Sequence, residues 1–174
     1  LSDPRWDLKF IGMQIIIEGL ALAAFQTTKE TSNCPLLRQL VHYVIRDEAR
    51  HVTFGVNYLE DFIENLTDEE REDRAMFAYE ACVISKERLF PTDVFRKFGW
   101  DEDEAREFSN KAGFATEFQR LLFSRVVPNL SRIGLLTDKV RPLYDKLGVL
   151  EFESHSNDAD ISWAELEKPL DLSA

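Results

Sequence analysis

Three side chains, Glu18, Glu48 and His51, have the types and spacing that could do chemistry. Glu18 stands in IIIEGLALAAF, and Glu48 and His51 stand in YVIRDEARHVTFG. A carboxylate or an imidazole on an apolar helix stripe is costly unless something pairs with it. Side chains three residues apart on a helix have Cβ atoms about 5–6 Å from one another, so Glu48 and His51 can approach a single ion. Glu18 lies three residues after Ile15 and four before Leu22, which puts it on the apolar stripe of its own segment. Carboxylate oxygens with an imidazole nitrogen suit iron or manganese better than an ion that prefers thiolates. A metal-free polar network is the other reading. In it Glu18 pairs with Arg46 or Arg50, and His51 is a satisfied core histidine.

The elements that must position these residues are helices. Apolar residues at Leu8, Ile11, Ile15, Leu22 and Phe25 recur at helical spacing, so the sequence predicts a helix over 7–29 that is buried on most sides. TTKETSNCP then makes a connection, and Pro35 opens a second helix over 35–65. Its stripe reads Leu37, Leu40, Val41, Val44, Gly55, Leu59 and Phe62. Thr67 with Glu70 forms a capping box for a third helix to about Phe90, with Phe77, Ala81, Ile84 and Arg88 in register. A short helix ends at Gly99, a long one runs from WDEDEAREF to about Val127, and Pro128 breaks or kinks it. TDKVRPLYDKLG is a last short helix. Gly19 beside Glu18, and Gly55 one turn past His51, leave room for close approach. The fold class expected is all-α, a helical bundle over 1–150 with an irregular tail over 151–174.

Composition narrows the partners. The chain has 174 residues, 44% of them hydrophobic, and only 7 Gly and 6 Pro. Its 21 Lys+Arg against 32 Asp+Glu give a net charge of −11, which argues against nucleic acid as a partner. FIGMQIIIEGLALAAF is interrupted by Gln14 and Glu18, so no membrane span is expected, and nothing resembles a signal peptide. Cys34 and Cys82 are expected to be small buried residues in a reducing compartment, and the location expected is cytoplasmic. His42 is read as structural, His155 as incidental, and Glu80 as inward-facing with an arginine partner. Tyr43 and Tyr58 are read as packing residues.

Together, IIIEGLALAAF and YVIRDEARHVTFG resemble the second half of a ferritin-like di-iron carboxylate protein, in the branch of ribonucleotide-reductase small subunits and arylamine N-oxygenases. The likeness covers about residues 6–65 strongly and the helices to about 150 more loosely. It implies the second helix pair of a four-helix core, followed by additional C-terminal helices. It implies two iron ions, or a manganese/iron pair, with Glu18 as a terminal carboxylate, Glu48 as the bridging and catalytic carboxylate, and His51 as the nitrogen ligand. Asp47 resembles an outer residue that orients a histidine of the other helix pair, and Arg50 one that neutralises buried carboxylates. The implied activity is that of an oxidoreductase using O2 on a small apolar organic substrate such as an arylamine. Ferroxidase or iron storage, and a metal-free helical interaction module, are the alternatives. The family's first Glu and first Glu-x-x-His find no counterpart here. Either the chain is the C-terminal part of a longer protein, which its abrupt opening favours, or two copies pair as a homodimer to build one site.

Overall fold

The computed structural model describes residues 3–156 and 167–170, and among them every regular element is helical. Helix α1 runs from Trp6 to Thr31. It begins as α-helix over Trp6–Phe10, widens to a π-helix over Ile11–Ile17 and returns to α-helix over Glu18–Thr31. At the end of the π stretch the Glu18 N–H reaches the Met13 carbonyl, five residues back. The wider winding turns the residues beyond Met13 away from the phase a straight α-helix would give them. Helix α2 spans Pro35–Glu64 with Pro35 in its first turn, where the missing N–H costs nothing.

The capping box at Thr67 is formed in full. Thr67 Oγ1 accepts from the Glu70 N–H, and the Glu70 carboxylate accepts from the Thr67 N–H at 3.0 Å. It starts α3, Asp68–Arg88. Two short helices follow, α4 over Thr92–Lys97 and α5 over Glu102–Ala112, and then α6 over Phe114–Arg132. The long helix expected up to Val127 is therefore two. Gly113, at φ +72°, takes a left-handed conformation that a side chain would strain, and the axis breaks there. Pro128 lies inside α6, which continues past it to Arg132. Helix α7, Arg141–Leu147, and a 3₁₀ turn over Leu150–Ser154 complete the described fold. That turn buries Phe152, so the expected tail begins as part of the bundle. Residues 157–166 and 171–174 of the tail lie outside the described residues.

The short link from Thr31 to Pro35 makes α1 and α2 antiparallel neighbours. Helix α6 packs against the second half of α1, and α3 packs against its π stretch. Ile11, Ile15 and Leu22 of α1 meet Val52, Val56 and Leu59 of α2, Ala78 and Cys82 of α3, and Phe123 and Val126 of α6 in one buried core. Fully burying side chains of this size contributes about 1.5–3 kcal/mol each relative to exposure. A buried ion pair pins the start of α1 to α3. Arg74 Nε donates to Asp7 Oδ2 at 2.7 Å, with both side chains nearly closed to solvent. By length and composition α1 is apolar enough to cross a membrane, despite Gln14 and Glu18; here Leu8, Ile11, Ile15, Ile16 and Leu22 are buried in the core, while Trp6, Met13 and Ile17 are exposed.

Candidate metal centre

The structure brings Glu18, Glu48 and His51 together from two helices. One potential ligand atom from each lies within 4.8 Å of the others. His51 Nδ1 is 2.9 Å from Glu48 Oε2 and 3.9 Å from Glu18 Oε1. Burial raises the Glu18 carboxyl above the ordinary carboxylate range. A hydrogen bond to Glu48 and repulsion from its charge push the same way, and His51 pulls back. Two acids within bonding reach cannot both ionise freely without a cation between them.

Two close approaches set this geometry. A Cβ on Gly55 would lie 2.4 Å from Gln14 Cβ, and one on Gly19 would lie 2.8 Å from Val126 Cγ2. Gly55 is one turn past His51, and Gln14 is one turn before Glu18. The bare backbone at Gly55 therefore lets the π stretch of α1 lie against α2 beside Glu18, Glu48 and His51. Gln14 Oε1 is buried and has no hydrogen-bond partner, which places an open acceptor one turn from Glu18. Ile15, Leu22 and Val52 form an apolar wall on the core side, with Val44 half-buried next to it.

Glu18, Glu48 and His51 do not sit inside the core of this chain. The side-chain exposures are 18% for Glu18, 24% for Glu48 and 59% for His51. The reason is visible on α2, where the buried row is Val41, Ile45, Ala49, Val52, Val56, Leu59 and Ile63. Leu37 and Leu40, expected on the same stripe, belong with His51 to the next face and are exposed. The apolar positions of α2 thus form two faces, one against the core and one open.

Arg46 donates to Asp47 at 3.2 Å, and Arg50 donates to Asp47 at 3.3 Å and lies 3.6 Å from Glu167. Asp47 is exposed between those two arginines. His42 is buried, and its Nε2 is 2.8 Å from the Lys168 carbonyl, a structural role that ties the chain's end to α2. Glu80 and Arg88 are exposed, so neither belongs to the core. Tyr58 stacks on Phe54 and meets Trp6 and Phe10 edge-on, as a packing residue would. His155 is exposed with its ring edge-on to Phe152. Cys82 is buried as expected, but Cys34 is exposed, because it sits in the link before α2 and not on a helix face. The Asp7–Arg74 pair and the π winding carry no periodic signal in the sequence. A cavity of about 670 Å³ walled by Phe95, Trp100 and Phe108 lies on α4 and α5 and includes none of Glu18, Glu48 and His51.

No protein-family model matches the chain, and neither a curated protein nor a solved structure matches it.

Proposed function

We propose that this chain carries half of a carboxylate-bridged dinuclear centre of the ferritin-like kind, binding iron or a manganese/iron pair. The activity proposed is that of a cytoplasmic non-haem oxidoreductase using O2 on a small apolar organic substrate. The observation that supports it is the convergence of Glu18, Glu48 and His51 from adjacent helices onto one spot. The donor set fits: two carboxylates and one imidazole are hard and borderline ligands of the type these ions take. When bound, a pair of reduced ions supplies the two electrons that O2 activation requires.

The chain's own residues would do the rest. Glu48 lies between the other two ligands in sequence contact with His51 and in hydrogen-bond contact with Glu18, which suits a carboxylate shared between ions. Glu18 would end the set on the α1 side, and His51 would supply nitrogen from the open side. The wall of Ile15, Leu22 and Val52 would keep water from the core side of the centre. A net charge of −11 would draw cations toward the surface and keep nucleic acid away.

One observation favours a second reading, a metal-free polar cluster. Glu18 and Glu48 share a hydrogen bond, and Glu48 and His51 share another, so the three groups satisfy one another as they stand. Kinetics of O2-dependent ferrous oxidation separate the two. The proposal expects the rate to fall at least about tenfold in Glu48→Ala, as loss of a bridging ligand should weaken metal binding. An unchanged rate would overturn it.

A further inference from the structure

The open face of α1 and α2 has an internal register that says what could cover it. On α2, Leu36, Leu37, Leu40, Phe54 and Tyr58 are exposed and share one side of the helix with His51. From α1, Trp6 and Met13 add exposed apolar surface, and Trp6 packs edge-on against Tyr58. Glu48 lies twelve residues after Leu36 and ten before Tyr58, so the ligands stand at the middle of the apolar stripe.

That centring is the condition for self-pairing. Under a twofold axis, only residues near the midpoint of an antiparallel stripe meet their own copies, while one end meets the other. Leu36 and Leu40 would then lie against the partner's Phe54 and Tyr58, apolar on apolar. Glu18, Glu48 and His51 would face the partner's Glu18, Glu48 and His51. From Leu36 to Tyr58 the helix is roughly 33 Å long at 1.5 Å per residue. Two adjacent helices about 10 Å apart make a face of roughly 700 Å², close to the ~800 Å² per partner of a stable interface.

Charge completes the argument. Among the described residues, one copy brings three ligand groups to this spot. Two copies bring four carboxylates and two imidazoles, and four carboxylates without cations would repel. Two divalent ions would balance the four negative charges and fill their coordination from both sides. We propose that two copies of this chain pair through the α1/α2 face and that the pairing requires a divalent metal, each copy giving Glu18, Glu48 and His51 to one shared two-ion centre. This rests on the metal-binding reading of those residues, and the test keeps the two separate.

The test is the mass of the assembly by light scattering, with bound metal measured on the same sample, for the full chain with and without Mn²⁺. Two variants accompany it: His51→Ala at the centre, and Leu40→Asp, an exposed site two turns from the ligands that should leave the helical circular dichroism unchanged. The expected result is a monomer without metal and a dimer holding about one ion per chain with it. Both variants should stay monomeric, and Leu40→Asp should lose at least about tenfold in Mn²⁺ affinity although its own ligands are intact. A monomer that binds Mn²⁺ through the three ligands would overturn the pairing and leave the metal reading standing. A dimer that forms without bound metal, and equally in His51→Ala, would overturn the shared centre and the metal reading together.

Discussion

Gly55→Ala tests how the helix packing makes the site. The added methyl would sit 2.4 Å from Gln14 Cβ and 3.0 Å from Gln14 Cγ. Ordinary carbon contacts lie near 3.5–4.0 Å, so α1 and α2 must part by about 1 Å at this crossing. The obstacle is a Cβ fixed to the backbone of the π stretch, not the far end of a flexible side chain. Overpacking of this kind costs about 1–3 kcal/mol. Replacing a mid-helix glycine by alanine returns about 1 kcal/mol of helix propensity. The net expectation is a loss of up to about 2 kcal/mol, read as a fall in Tm of up to roughly 8 °C for a chain of this size. Because Gln14 is one turn from Glu18 and Gly55 one turn from His51, the same separation pulls the ligands apart, and Mn²⁺ affinity should drop by at least about tenfold. Gly19→Ala is the comparison: there the added methyl meets one methyl of the buried Val126 at 2.8 Å, a smaller overlap than at Gly55, and it should cost less than Gly55→Ala. Thermal unfolding with parallel metal titration measures both. A Gly55→Ala protein with unchanged Tm and unchanged affinity would refute the reasoning.

Other outcomes follow from the same structure. Arg74→Ala leaves Asp7 buried and unpaired, so urea denaturation should show a loss of about 3–5 kcal/mol. Adding Asp7→Asn to that variant should restore part of it, and a single variant as stable as the parent would remove the ion pair as a determinant. In the native protein Cys34 should react with an alkylating reagent within the time an exposed thiol takes, while Cys82 should react only on unfolding. Burial pushes the Cys82 thiol up to about 12 from 9.0, and it raises the Tyr144 hydroxyl as well. Both groups stay neutral in the fold while the unfolded chain ionises. Their stabilising contribution is complete below about pH 9 and is lost as the pH rises toward the folded values. Denaturation at about pH 8 and about pH 10.5 should differ less in Cys82→Ala than in the parent, by on the order of 2 kcal/mol. Equal differences would contradict this.

The helices were legible because their signals are local. The capping box at Thr67, Pro35 at the head of α2 and the apolar period of α1 each depend on neighbours a few residues away. The break at Gly113 is not legible, because a glycine among helix formers does not announce a positive φ. Pro128 does not end its helix, since a helix can carry a proline where the lost hydrogen bond is tolerated. The π winding of α1 has no sequence period, and it shifts the phase just where Glu18 lies. For the site, the spacing of Glu48 and His51 and the apolar setting of Glu18 sufficed to bring the three together. Their exposure was not legible. Leu37 and Leu40 extend the apolar stripe of α2 in sequence, and only packing shows that they face away from Val52 and Leu59.

The most direct measurement of the central claim is iron retained per chain after anaerobic ferrous loading and desalting, in the parent and in Glu18→Ala, Glu48→Ala and His51→Ala. The account expects about one iron per chain in the parent and almost none in each variant, since a half-site of a two-ion centre supplies one ion's worth of ligands. Iron retained equally by parent and variants, or by none of them, would contradict it.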